Sequence, residues 1–125
     1  MRLLLDTHIF IWAVMDSPNL GKEARKMILE ADDVFVSAAS IWEASIKAGL
    51  GKLDVDVDRL VAEIELSGFR ELPVCSVHAA LVRTLPDIHR DPFDRLLVAQ
   101  AINEPLRLMT ADSHLAAYSN LVITV

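Results

Sequence analysis

Apolar residues along this chain follow two rhythms. Short continuous runs suit strands buried on both faces: "RLLL" (2–5), "DVFVS" (33–37), "LRLMT" (106–110) and "LVITV" (121–125). A fifth, "FRELPV" (69–74), carries Pro73, which argues for an edge position. Between them run helical patterns. "THIFIWAVM" (7–15) reads as a short helix closed by "DSPN". "LGKEARKMILEA" (20–31) is amphipathic, with Leu20, Ala24, Met27, Ile28 and Ala31 on one stripe. "AASIWEASIKAGL" (38–50) is a helix with Ser37 as N-cap and Gly49 as stop. "DVDRLVAEIELSG" (56–68) is another, and "SVHAALVRTL" (76–85) a third, leading into the loop "LPDIHR" (85–90). "DPFDRLLVAQAINE" (91–104) is the best marked, with Asp91 as N-cap, Pro92 at the first helical position and Asp94 in the first turn. "DSHLAAYS" (112–119) predicts a short helix.

Strands alternating with helices predict an α/β fold: a parallel or mostly parallel central sheet with helices on both faces, in three layers. A chain of 125 residues fits one domain, 1–125. Ligands in such folds sit outside the carboxyl ends of the strands. Two of the runs meet an acid there, Asp6 in "LLLDTH" and Asp112 in "RLMTAD". Burying a lone carboxylate is costly, so these endings call for a physical reason.

Composition adds constraints. The chain is 53% hydrophobic with mean hydropathy +0.35, apolar enough to suggest that a partner or a second copy covers some surface. Its net charge of −6, from 12 basic and 18 acidic residues, argues against binding nucleic acid by bulk charge. Such a role must rest on a local basic patch or a bound metal. The single cysteine, Cys75, excludes an internal disulfide, suits a reducing cytoplasm and reads as a small core residue. "IFIWAVM" (9–15) is far shorter than the ~20 residues that span a bilayer, so no membrane role is expected.

Each acid has a plain structural reading. Asp6, Asp91 and Asp112 can cap helices, Asp94 can favour a helix dipole, and Glu43 can pair with Lys47 four residues on along an exposed helix. Their joint placement asks for more. Two carboxylates ~5 Å apart repel by about 3 kcal/mol at an effective dielectric of 20, so several in one crevice need protons or a cation. All-oxygen ligands suit Mg²⁺ or Mn²⁺. His8, His78, His89 and His114 are scattered, and no Cys/His cluster supports zinc. His78 is expected on a helix side, and His8 and His89 in local hydrogen bonds near the crevice.

The segments "LLLDTH", "SAASIWEASIK", "HRDPFDRLLVAQA" and "LMTAD" together resemble the PIN-domain ribonucleases, specifically the VapC-like toxins of type II toxin–antitoxin pairs. The resemblance runs in order over nearly the whole chain, and "HRDPFDRLLVAQA" is its most specific part. It implies a PIN-like sandwich and a divalent-metal-dependent endoribonuclease. Asp6, Glu43, Asp94 and Asp112 correspond to the metal-holding catalytic acids, Asp6 and Asp94 leading. Thr7 and Asp91 would support those ligands from behind, and Lys47, Arg90 and Arg95 would hold the RNA backbone. It also implies a small cognate antitoxin and a homodimer. Two other readings stay open: a PIN nuclease of RNA processing, and a phospho-receiver-like signalling domain. The latter would want paired acids after the first strand and a lysine after a late one, and the sequence has neither.

Overall fold

The computed structural model describes residues 1–125. In chain order the elements are β1 (Arg2–Leu5), α1 (Thr7–Val14), α2 (Lys22–Glu30), β2 (Asp33–Ser37), α3 (Ala38–Gly49), α4 (Val57–Leu66), β3 (Arg70–Leu72), α5 (Ser76–Leu81), α6 (Pro92–Asn103), β4 (Arg107–Thr110) and β5 (Val122–Thr124). Two 3-10 segments, Val82–Thr84 and Ser113–Ala117, complete the chain.

The five strands form one sheet in the order β3-β2-β1-β4-β5, and every pairing is parallel. Burial on both faces explains the unbroken leucines of β1. Leu3 and Leu5 face one core with Ile9, Phe10, Val36, Leu60 and Ile64, which brings α1, α2 and α4 onto that side. Leu4 faces the other, with Leu97, Val98, Ala101, Leu106 and Leu108, and α6 covers it. The result is the expected three-layer α/β sandwich. β3 lies at the sheet edge just ahead of Pro73, whose missing N–H needs no ladder partner there. The stripe on α2 also packs as read, with Ala24 buried and Met27 and Ile28 against the same core.

Several local expectations need correction. The 112–119 segment is a 3-10 turn, closed by i→i+3 bonds from Leu115 N–H to Asp112 and from Tyr118 N–H to Leu115. The 76–85 helix breaks after Leu81, because Leu85 must be extended ahead of Pro86. Gly49 is the last residue of α3, but the left-handed residue that ends the helix is Gly51 (φ 72°), with Lys52 N–H returning to Lys47 O at 2.9 Å. Cys75 is exposed rather than in the core. His78 is the buried one: α5 packs against α6, and the ring accepts from Cys75 N–H through Nδ1 at 3.0 Å and meets Glu104 at 2.7 Å through Nε2. That bond holds the Glu104 carboxyl below its usual range.

Strand order places the chemistry. From β1 the chain adds β2 and β3 on one side, then β4 and β5 on the other. β1 and β4 therefore flank the point where the order reverses, and a crevice opens outside their carboxyl ends.

Candidate metal centre

A cavity of about 330 Å³ occupies that crevice, lined by Asp6, Thr7, His8, Trp12, Glu43, Lys47, Asp91, Asp94, Ala111 and Asp112. Five of these carry carboxyl groups, and Lys47 is the one lysine or arginine among them. A larger hollow at the amino ends of the strands has Asp32 and Asp33 as its only carboxylates, both paired with cationic groups.

Asp6 continues β1, its N–H bonding Met109 O at 3.0 Å. Its carboxylate caps α1 by accepting from Ile9 N–H at 3.0 Å, and it takes the Thr110 hydroxyl at 2.5 Å. Burial pushes its pKa up against these two bonds. Glu43 lies in α3 but faces inward, only 3% exposed. Its pairing with Lys47 exists, at 2.5 Å, yet not on the exposed face expected of it: the second oxygen accepts from Thr7 at 2.7 Å. The hydrogen bond to Glu43 raises the Lys47 pKa. Thr7 is itself held against Ser40 Oγ at 3.0 Å.

Asp91 caps α6, accepting from Phe93 N–H at 2.8 Å and Asp94 N–H at 3.3 Å. Asp112 caps the last 3-10 turn through His114 N–H at 2.9 Å, which lowers its pKa. Asp94 differs from all of these. Its carboxylate takes no hydrogen bond from the chain, and the nearest basic side-chain nitrogen, His89 Nε2, is 3.8 Å away. Burial first, then the charges of Asp91, Asp6 and Glu43, push its pKa up to about 7. A half-buried carboxylate ringed by acids and lacking a donor is unfavourable as it stands. A divalent cation remedies this.

Of the three basic residues, Arg90 is exposed and makes no ion pair within the chain. Arg95 turns away from the crevice: its guanidinium donates to the carbonyls of Pro86 (2.9 Å) and Val82 (3.1 Å) and lies 3.2 Å from the Tyr118 hydroxyl. It holds the 82–89 loop.

His89 matters more than its sequence context suggested. It clusters with Asp94 and Asp112, ligand atoms within 4.8 Å of one another. Yet Nδ1 accepts from Asp91 N–H at 3.0 Å, which in the neutral ring puts the proton on Nε2. Nε2 then donates to Asp112 at 3.2 Å. A nitrogen carrying a proton does not ligate metal, so His89 orients Asp112 and the donor set stays all-oxygen. Its place two residues before the α6 cap was the only available signal. Asp91→Asn keeps the cap, because an amide oxygen accepts the same N–H bonds. If the chain has the ribonuclease activity that its resemblance implies, this variant is expected to retain most of it in a kinetic assay. A loss as deep as that of Asp6→Asn, in a folded protein, would overturn the capping role.

Residues 3–121 match the family described as PIN domain. The chain belongs to the PIN domain family. A PIN chain of this length has a curated relative in Ribonuclease VapC22 of Mycobacterium tuberculosis, 28% identical over 122 residues, covering 93% of this chain and 91% of that one. Solved structures share the fold. FitAcB from Neisseria gonorrhoeae superposes with a TM-score of 0.69 at 20% identity, covering 98% of this chain and 96% of that one. A toxin–antitoxin complex from Klebsiella pneumoniae gives 0.64 at 19% identity, covering 98% and 96%. With PIN membership the phospho-receiver alternative falls away. No helix of this PIN chain is long and apolar enough to cross a membrane.

Proposed function

We propose that this chain is a VapC-like toxin, an endoribonuclease that hydrolyses RNA phosphodiester bonds with a divalent cation. The observation carrying this reading is the convergence of Asp6, Glu43, Asp94 and Asp112 on one crevice, with Asp94 lacking any donor. The name of the mycobacterial relative supports the ribonuclease activity.

Asp6 and Asp94 would hold the ion directly, with Glu43 and Asp112 completing its shell or orienting water. The donor set is all oxygen and rich in charge, which fits Mg²⁺, with Mn²⁺ as a substitute. When bound, such an ion supplies Lewis-acid polarisation of the phosphate and a lowered water pKa. The protein's own residues do the positioning. Thr110 and Ile9 N–H fix both oxygens of Asp6. Thr7 and Lys47 fix Glu43, and His89 fixes Asp112. Lys47 is thereby committed to Glu43, which leaves exposed Arg90 as the cation free to hold the RNA backbone.

The partner proposed is a small cognate antitoxin, and the Klebsiella complex supports a toxin–antitoxin pairing for this fold. Apolar surface is available for it and for a second copy: Leu29, Leu66, Leu50 and Trp42 are 85%, 78%, 64% and 59% exposed. A nuclease of RNA processing has the same chemistry, and the test separates the two. Purified protein is expected to cleave cellular RNA, and co-expression with the product of the neighbouring small reading frame is expected to yield a complex without that activity. Active protein that neither binds nor is silenced by that product would favour processing. Protein that cleaves no RNA would refute both.

A further inference from the structure

One wall of the crevice is aromatic. His8 and Trp12 both line it, one helical turn apart on α1, with ring centroids 6.1 Å apart and planes inclined at 54°. The core-facing side of α1 is filled by Ile9, Phe10 and Ile11, all buried. Trp12 is half-buried, packed against that same core, so its indole is held in place. His8 is exposed and its ring makes no hydrogen bond within the chain. The pair gives the acidic crevice an aromatic surface beside the place where a phosphate would be held.

Carboxylates engaged with a metal act on the phosphodiester, and reading a base calls for another surface. Unpaired bases are recognised chiefly by stacking on aromatic rings, whereas bases within a duplex are already stacked and out of reach. We propose, resting on the ribonuclease reading above, that His8 and Trp12 form the stacking surface for a nucleobase next to the scissile phosphate. The enzyme then selects unpaired RNA through α1 and cuts it through the acids. Both functions start from one segment, since Asp6 caps the helix that carries the two rings.

The test uses a short unpaired RNA that the wild-type protein cleaves, with each position in turn replaced by an abasic nucleotide. One position beside the cleavage site is expected to raise KM about ten-fold. Little change in kcat is expected, as for binding lost equally from ground and transition states. His8→Ala and Trp12→Leu should each raise KM on intact RNA, and in each the abasic penalty at that position should shrink towards none. A merely structural role for the rings would leave that penalty intact. Trp12→Leu keeps an apolar group against the core, and exposed His8 carries the test should that variant unfold. An undiminished penalty in His8→Ala, or equal penalties at every position, would overturn the stacking wall while leaving the nuclease reading standing. Unchanged KM in both variants with loss of inhibition by the partner protein would assign the wall to that partner instead. Wild-type protein that cleaves no RNA would remove the nuclease reading and this proposal together.

Discussion

Asp94→Asn should abolish RNA cleavage and make the metal-free protein more stable. The two effects share a cause. In the metal-free fold, burial and the charges of Asp91, Asp6 and Glu43 lift the Asp94 pKa from 3.8 to about 7. The folded state therefore holds a proton that the unfolded chain releases earlier. Unfolding free energy changes with pH as the difference in protons bound, unfolded minus folded. Between about pH 4 and 7 that difference is negative for Asp94. Stability is full below the unfolded pKa and is lost as pH rises through the folded one. With solvent screening the loss is on the order of 2 kcal/mol. An amide does not titrate and is not repelled, so the variant should lack this loss. Melting in EDTA at pH 5 and pH 8 should show Asp94→Asn well above wild type only at the higher pH. Cleavage should fall by at least about 100-fold, more than the loss typical of removing a group that merely supports a metal ligand. A variant that cuts RNA normally, or whose melting advantage is the same at both pH values, would contradict the assignment.

Removing divalent cations should be equally severe. EDTA is expected to abolish cleavage, and Mg²⁺ or Mn²⁺ to restore it. The pH dependence is a sharper check. A proton and a cation compete for Asp94, so the Mg²⁺ concentration for half-maximal activity should rise by about tenfold per pH unit below 7. The raised pKa of Asp6 acts in the same direction. Cleavage that survives chelation, or a Mg²⁺ requirement that is flat from pH 6 to 8, would exclude this centre as the site of chemistry.

Much of the architecture is legible in the sequence because it depends on neighbours. Strand runs, the α2 stripe and the Asp91–Pro92 start of α6 are local patterns, and each forms where it was read. Two of the four acids, Asp6 and Asp112, are legible because they follow strand ends, whose common edge is set by the parallel arrangement. What escapes the sequence depends on residues far along the chain. Glu43 reads as a surface partner of Lys47 until Thr7, 36 residues earlier, is brought against its other oxygen. His89 looks incidental until Asp112 arrives from 23 residues away. Arg95 sits beside Asp94 in sequence, but successive helix positions point in different directions, and its side chain reaches the 82–89 carbonyls instead. Cys75 reads as core by residue type, yet it lies at the outer start of α5, and His78 three residues on takes the buried place.

The Thr110 hydroxyl that steadies Asp6 comes from a residue 104 positions further along the chain. During synthesis β1 emerges well before its neighbour β4 and the Asp112 beyond it. Contacts between such distant segments form late and slowly. A growing chain on the ribosome therefore carries its first acid long before it can assemble the crevice. On the proposed reading, the nascent polypeptide cannot act on RNA until the last of its four acids has been added.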